Sequence, residues 1–173
     1  MRTPRICFAL AAAALIACLL PTTALAQGEA KPTLLVLYLD SDGVSDKQKG
    51  DVLAAAKKMV GKYGKYKLLD TPKLDLLDEM VNYECLEMDA ECLAAIGKGN
   101  GAQLILYGGY EGGKLSLKFA DVGKKKLLGE YSGSAAKPKI ASVLTNKGLV
   151  KLFGPLPKKP KLVLVKIDAN VEK

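Results

Sequence analysis

Three aspartates that follow the first apolar run are the residues of this chain best placed to hold a cation or a small polar ligand. Asp40, Asp42 and Asp46 lie close together, and oxygen ligands of this kind suit calcium. The spacing resembles the opening of a calcium loop, but Ser45 stands where that loop requires glycine and Asp51 where it requires glutamate. A turn followed by a helix cap is therefore the preferred interpretation, and weak binding of a cation or small ligand is a second hypothesis.

Cys85 and Cys92 are the second set of residues with chemical potential. They lie at the end of one predicted helix and in the first turn of the next, with six residues between them. In an exported chain this arrangement predicts a structural disulfide, worth about 2.5 kcal/mol for a loop of about eight residues. The alternatives fit less well, because the spacing is not the C-x-x-C of redox-active pairs and two thiolates without histidine are too few for structural zinc.

The chain lacks the residues on which catalysis and nucleic-acid recognition most often depend. It has no histidine and no tryptophan, and its only arginines are Arg2 and Arg5. Without histidine, no serine or cysteine has an ordinary general base near neutral pH. Without arginine in the mature chain, there is no bidentate donor for phosphate or guanine. The sequence therefore predicts a protein that is not an enzyme, uses no cofactor or metal and does not bind nucleic acid.

Charge is unevenly distributed along the chain. Residues 27–111 contain 10 lysines and 14 acids, with seven of those acids between residues 75 and 91, whereas residues 112–173 contain 14 lysines and 4 acids. A basic half favours contact with an anionic surface such as lipid phosphates, and a solvated face that maintains solubility is the alternative. The lysines that form this candidate contact surface are Lys124, Lys125, Lys126, Lys158, Lys159 and Lys161.

The first 26 residues have the pattern of a secretory signal peptide. A basic start precedes an apolar run, and Ala24-Leu25-Ala26 predicts cleavage before Gln27. The run is shorter than the about 20 residues that a membrane-spanning helix needs, so the mature chain is expected to have no transmembrane segment. However, residues 15–18 (LIAC) resemble a lipoprotein box. The expected location is therefore periplasmic or secreted, with a lipid anchor through Cys18 as the alternative.

Hydrophobic patterns in the first half predict two strands and three helices. The apolar run at residues 33–39 predicts a buried strand that ends in a turn at residues 40–43. Ser45 and Gln48 then form a capping box for a helix that ends at Gly64, and residues 66–69 form a second strand. Thr71-Pro72 predicts the start of the next helix, with Leu74, Leu77, Met80 and Val81 inward and Asp75, Asp78 and Glu79 in water. Asp89 caps the third helix, whose inward residues are Cys92, Leu93 and Ile96.

The second half predicts a meander of three strands and a final helix. Strands at residues 102–110, 114–120 and 126–132 are joined by turns at Gly112-Gly113 and at residues 121–124. A helix at residues 139–153 follows, weakened by Gly148. The predicted fold class is α/β (α+β), with a single mixed β-sheet, a βαβ opening, a C-terminal strand meander and helices packed on the sheet.

The same patterns predict the domain boundaries. A signal peptide occupies residues 1–26 and the α/β domain residues 27–153, a length that suits one hydrophobic core. A proline-rich linker covers residues 154–160. The pattern KLVLVKIDA in residues 161–173 predicts one more strand, either as the start or a remnant of a further β domain or as a strand that pairs on the edge of the sheet.

The combination of these motifs resembles a known family. The segments LLVLYLDSDGVSDKQKGDVLAAAKKMV and YKLLDTPKLDLLDEM are followed by Cys85, a short acidic loop, CLAAIG and a Gly-Ala strand that ends in Gly-Gly. This pattern is similar to the small α/β envelope domain related to the TolB amino-terminal domain and to CsgG-like domains, in the cysteine-containing version often found ahead of PEGA-type domains. The resemblance covers residues 33–153. It implies a non-enzymatic interaction or assembly module of the bacterial cell envelope, whose partner is an envelope protein or an anionic envelope surface.

Overall fold

One mixed β-sheet organises the part of the chain that the structure describes. The computed structural model describes residues 30–37, 39–41, 43–71 and 74–158. The strands are β1 (Thr33–Val36), β2 (Asp40–Ser41), β3 (Lys67–Leu68), β4 (Leu104–Glu111), β5 (Lys114–Asp121) and β6 (Lys126–Ser134). The helices are α1 (Asp46–Tyr63), α2 (Leu76–Asn82), α3 (Ala90–Gly99), α4 (Ile140–Val143) and α5 (Leu149–Phe153). The predicted fold class is confirmed, because a single mixed sheet carries the helices.

The strand order places the crossover connections at one end of the sheet and the meander at the other. The order is β3-β1-β4-β5-β6, and β2 pairs with β4 beyond the end of β1. The pairs that β1 and β2 form are parallel, while β4, β5 and β6 pair antiparallel. Parallel pairing needs a crossover, which α1 and the α2–α3 segment supply, whereas antiparallel neighbours need only hairpins. The β4–β5 hairpin turns at Gly112 and Gly113, whose φ angles are +55° and +82°.

Helices cover both faces of the sheet and create two clusters of buried side chains. On one face, α1 and the C-terminal helices bury Val60, Leu149 and Phe153 against Leu115 and Leu117 of β5. On the other face, α2 and α3 pack on β1 and β4, and their buried residues are Leu76, Cys92, Leu93 and Ile96. Residues from β1 and β4 contribute to both clusters, which explains their unbroken apolar runs.

The predicted caps of α1 are confirmed. The Ser45 hydroxyl accepts a hydrogen bond from the Gln48 backbone N–H, and the Gln48 side chain accepts one from the Ser45 backbone N–H. At the other end Gly64 has the left-handed conformation that favours glycine, with φ +64°. These caps depend only on neighbouring residues, so the sequence pattern is sufficient to locate them.

The first strand is shorter than predicted, and the prediction of a turn directly after it is wrong. The partners of β1 on β4 lie 70 positions further along the chain, whereas those of β2 lie 69 positions further. One extra residue between β1 and β2 therefore interrupts the ladder. Asp40 and Ser41, predicted in a turn, instead resume pairing with β4, because the edge of that longer strand extends beyond the end of β1.

The start of α2 is also later than predicted. The Asp75 carboxylate accepts a hydrogen bond from the Leu77 N–H at 2.9 Å and caps the helix. Asp75 itself is extended, so the helix begins at Leu76 and not at residue 71. An aspartate cap satisfies one of the free N–H groups of the first turn, which outweighs the start indicated by Thr71-Pro72.

The predicted C-terminal helix is present but irregular. It begins with a 3₁₀ turn at Lys137–Lys139, and a π-helical segment at Leu144–Gly148 separates α4 from α5. Gly148 lies against β5, where a Cβ would come within 2.4 Å of Leu117 Cδ1. This glycine allows close packing, which compensates for its poor helix propensity.

Several predictions concern residues outside the described ranges. These are the signal peptide, the Cys18 lipidation site, Asp42, Lys159, Lys161 and the terminal strand at residues 161–173. Within the described ranges, no helix is long and apolar enough to cross a membrane.

Candidate functional site

The outer side of α2 and the loop after it carry three exposed apolar side chains. Leu77, Val81 and Leu86 are 53%, 77% and 97% exposed, and we refer to them as the exposed patch. Leu77 and Val81 are four residues apart on α2, so they project from the same side of the helix. The sequence predicted both residues to be inward, and this prediction is wrong.

The rotation of α2 is fixed by a buried acid. Glu79, predicted to face water, is 6% exposed. Its Oε2 accepts a hydrogen bond from Asn100 Nδ2 at 2.8 Å and its Oε1 accepts one from Asn82 Nδ2 at 3.4 Å. Because Leu76 and Glu79 are directed inward, Leu77 and Val81 must be directed outward. The Asp75 cap could have indicated where the helix starts, but the sequence alone does not indicate which side of it faces inward.

A disulfide holds the loop that carries Leu86. Cys85 and Cys92 are bonded, with their Cα atoms 5.6 Å apart. Cys92 lies in the first turn of α3 and its side chain is buried in the core. The Asp89 carboxylate caps the same helix by accepting a hydrogen bond from the Cys92 N–H at 2.8 Å. The loop is thus attached to the core at both ends while Leu86 lies in solvent. A cleft of about 610 Å³ lies along it, lined by residues of the loop and of the first turns of α3.

Acidic side chains lie next to two of the patch residues along the chain. Asp78 is exposed beside Leu77 on α2, and Glu84 and Glu87 are exposed on either side of Leu86. No lysine lies between residues 75 and 91. Negative charge therefore lies beside Leu77 and Leu86 along the chain, and the charged groups that line the hairpin side of Leu77 are Asp40, Glu111 and Lys114.

A second concave surface lies where β2 ends and the β4–β5 hairpin begins. We refer to it as the hairpin groove. Its volume is about 600 Å³, and its lining residues are Asp40, Ser41, Leu77, Gly109, Tyr110, Glu111, Lys114, Ser116 and Ser132. Ser116 Oγ donates a hydrogen bond to the Gly109 carbonyl at 3.2 Å, which fixes the floor. Its lining is mainly hydroxyls and charged groups, which suits a small polar ligand.

The predicted aspartate cluster is only partly present in this groove. Asp40 lines it, whereas Asp46 lies in the first turn of α1. Within the described residues, no group of three histidines, cysteines or acids is placed to hold a metal ion. Ser116 and Ser132 were not predicted as site residues, because in the sequence they are only the polar positions of alternating strands.

The candidate anionic-surface lysines that the structure describes differ in their surroundings. The Lys124 backbone N–H donates to the Asp121 carboxylate at 2.9 Å, and Lys125 Nζ donates to Glu91 Oε1 at 2.7 Å. Lys126 and Lys158 are exposed. The Glu91 and Asp121 carboxylates offset much of the positive charge of the β5–β6 turn, so contact with an anionic surface stays a prediction.

Three tyrosines have perturbed hydroxyls. Burial raises the pKa of Tyr107 above its ordinary value, and the Glu130 carboxylate raises it further. Burial also raises the pKa of Tyr66 and of Tyr63, the latter with a smaller contribution from Tyr66. These phenols therefore stay protonated at neutral pH, and the Tyr63 hydroxyl donates a hydrogen bond to the Gly154 carbonyl at 2.8 Å.

Comparisons with known proteins give weak structural matches only. No family model and no curated protein matches the chain. Among solved structures, the LpoB C-terminal domain from Salmonella enterica is 16% identical with a TM-score of 0.43, covering 61% of this chain and 83% of that one. TolB from Acinetobacter baumannii is 11% identical with a TM-score of 0.47, covering 75% of this chain and 30% of that one. Lipoprotein GNA1162 from Neisseria meningitidis is 15% identical with a TM-score of 0.39, covering 60% and 78%.

Similarity at this level is limited to parts of the fold. Matches at these identities and TM-scores do not indicate what the chain binds. The comparisons also do not support the CsgG-like and PEGA-associated parts of the family resemblance.

Proposed function

We propose that this chain is an exported, non-enzymatic interaction module of the bacterial cell envelope that binds another envelope protein through the exposed patch. The observation that carries the proposal is the rotation of α2, which buries a carboxylate and exposes Leu77 and Val81. Export and the absence of catalysis rest on the sequence, through the signal-peptide pattern and the missing histidine.

The energetics of α2 favour a role in binding. Burying a polar group is unfavourable unless it is hydrogen-bonded, and exposing leucine and valine forgoes the gain from burying them. Covering Val81 and Leu86 fully would contribute at most about 1.5 to 3 kcal/mol each, and covering Leu77, which is 53% exposed, about half of that. Leu77 and Val81 share one side of α2, and exposed apolar side chains that lie together mark an interaction site more often than singly scattered ones do.

The rim of the patch indicates the chemistry of the partner. Because exposed acids lie next to Leu77 and Leu86 along the chain, at Asp78, Glu84 and Glu87, a complementary surface would combine apolar side chains with lysine or arginine. An anionic lipid surface has the wrong charge for this side of the molecule. The proposed occupant is therefore a protein with a basic rim.

Photo-cross-linking in intact cells tests the proposal. A photoreactive residue is placed at position 77, 81 or 86 in turn, and at Leu128 as a control, since Leu128 is 47% exposed on β6. The expected result is one cross-linked protein of constant mass from the three patch positions and none from Leu128. The double variant Leu77→Ser/Val81→Ser should lose this product at position 86, while Leu127→Ser/Leu128→Ser should retain it. Equal cross-linking at Leu128, or none at the patch, would contradict the proposal.

The mass of the native protein tests the proposed location. Cleavage before Gln27 gives an unmodified chain that starts at that residue. Acylation gives a chain that starts at Cys18 and carries lipid. The first result supports a periplasmic or secreted module and the second a module anchored to a membrane.

A further inference from the structure

The hairpin groove has a polar floor built from four strands in register. Asp40 of β2 is the partner of Gly109 on β4, Gly109 is the partner of Ser116 on β5, and Ser116 is the partner of Ser132 on β6. Cross-strand partners project from the same face of a sheet. The carboxylate and the two hydroxyls therefore form one row across the face, with Gly109 between them.

The glycine in this row keeps the floor open. A Cβ at position 109 would lie 3.4 Å from the Asp40 carbonyl and 3.6 Å from Ser116 Oγ. These are ordinary van der Waals distances, so a side chain would fit there, but it would occupy the middle of the groove. Leu77 of α2 forms an apolar wall beside the row.

Several polar groups of the groove are available to a ligand. Ser116 Oγ donates to the Gly109 carbonyl, so its lone pairs stay available to accept from a ligand, and Ser132 is exposed on β6. Asp40, Glu111 and Lys114 form no ion pair with any residue of the described ranges. The groove thus offers a carboxylate at the Asp40 end and an ammonium group at the Lys114 end.

The spacing of Asp40 and Lys114 on the sheet indicates the size of the ligand. From a strand spacing of about 4.8 Å and a rise of about 3.3 Å per residue, the Cα atoms of Asp40 and Lys114 lie about 12 Å apart. An extended tripeptide spans about 10 Å between its terminal groups. A peptide of two or three residues therefore matches the spacing of the two backbone positions, and the flexible Lys114 side chain adjusts the remaining distance.

We propose that the hairpin groove binds a short zwitterionic peptide of two or three residues. Its ammonium group binds Asp40, its carboxylate binds Lys114, and its amide groups bind the hydroxyls of Ser116 and Ser132. Leu77 contacts one side chain of the peptide. Glu111 lies opposite Lys114 across the hairpin, so its carboxylate weakens the attraction for the ligand's carboxylate. This site is independent of the proposed protein partner, apart from the shared Leu77.

Titration of the exported protein with trialanine, followed by amide NMR shifts, tests the proposal. The expected result is saturable shifts confined to β2, the β4–β5 hairpin and Ser132. Asp40→Asn and N-acetylation of the peptide should each weaken binding about tenfold or more. Both changes remove the same charge-assisted hydrogen bond, so the acetylated peptide should bind the Asp40→Asn variant no more weakly than either change alone predicts. Lys114→Gln and C-terminal amidation of the peptide should likewise each weaken binding, and their effects should not add, because both remove the bond between Lys114 and the peptide carboxylate. Glu111→Gln should tighten binding.

Matched variants separate binding from folding. Gly109→Ala should fold and lose trialanine binding, whereas Gly61→Ala, where a Cβ meets nothing within 4 Å, should retain it. Asp51→Asn, on the exposed side of α1, is the control for Asp40→Asn. Absence of shifts at millimolar trialanine would overturn the proposal. Equal binding of amidated and free trialanine, or weaker binding by Glu111→Gln, would also overturn it by indicating a cation site.

Discussion

Glu79 Oε2 accepts a hydrogen bond from Asn100 Nδ2 at 2.8 Å, and this contact links the middle of α2 to the C-terminal end of α3. Asn100 Nδ2 also donates to the Ile96 carbonyl at 2.9 Å, so the amide is held by α3 before it contacts α2. The pair determines which side of α2 faces the sheet. It therefore also determines that Leu77 and Val81 form a surface.

Removing the buried carboxylate should destabilise the fold. We expect Glu79→Ala to lower the free energy of unfolding by about 1 to 3 kcal/mol, because it leaves the Asn82 and Asn100 amides without their acceptor. Urea denaturation followed by circular dichroism measures this change. Glu87→Ala, at an exposed position, should change stability by less than about 0.5 kcal/mol. Equal effects of the two substitutions would show that Glu79 does not fix α2.

Substitutions at two adjacent positions of α2 should differ strongly in their effect on the free energy of unfolding. Leu76 is buried and Leu77 is 53% exposed. We expect Leu76→Ala to cost about 2 to 5 kcal/mol, whereas Leu77→Ser/Val81→Ser should change stability by less than about 1 kcal/mol. Thermal unfolding of both variants checks the helix register directly. A large loss in the double variant would mean that the patch belongs to the core.

The disulfide should stabilise the domain modestly. Replacement of Cys85 and Cys92 by serine opens a loop of about eight residues and should cost about 2.5 kcal/mol by the loop-entropy model. The measurement is urea denaturation with and without reductant. Reductant should destabilise the unsubstituted protein and leave the double serine variant unchanged, so any reductant effect on the variant would contradict this account.

Two neighbouring glycines on β4 should differ sharply in tolerance. A Cβ at Gly108 would lie 2.2 Å from the Ser116 backbone carbonyl, whereas a Cβ at Gly109 meets no atom closer than 3.4 Å. Because backbone atoms of a central strand cannot move aside cheaply, we expect Gly108→Ala to cost about 1 to 3 kcal/mol or more. Gly109→Ala should leave the melting temperature within about 2 °C of the unsubstituted protein. Similar melting temperatures for both variants would refute the close approach of β4 and β5.

Ionisation of Tyr66 should weaken the fold at high pH. Its ring packs against Phe119 and Phe153, with centroids 6.0 and 5.2 Å away, and burial raises its pKa above the ordinary value. The neutral form is favoured in the folded state. Its contribution to stability is therefore complete below about pH 10 and is lost as the pH rises through the folded pKa.

Tyr66→Phe keeps the ring contacts and cannot ionise. We expect the variant to match the unsubstituted protein in urea at pH 7 and to unfold at a higher pH in an alkaline titration followed by circular dichroism. An unchanged alkaline midpoint would mean that other groups determine unfolding at high pH.

The sequence by itself determined the features that depend on neighbouring residues. Ser45 and Gln48 cap α1 because their groups are within one turn of each other. The alternation of Leu115, Leu117 and Phe119 places one side of β5 in the core, and Gly112-Gly113 supplies the positive φ angles of the hairpin. Together these features were sufficient to predict a mixed sheet with helices packed on it.

Only the tertiary structure decided the two candidate sites. The α2 segment contains apolar residues at positions 74, 76, 77, 80 and 81, so its periodicity allows more than one register. The hydrogen bond between Glu79 and Asn100, which are 21 positions apart, stabilises the observed register. The hairpin groove likewise brings Asp40 onto one face with Ser116 and Ser132, because β2 pairs with a strand 69 positions further along the chain. Such contacts depend on which strands become neighbours and in which register, and that is settled by packing of the whole core.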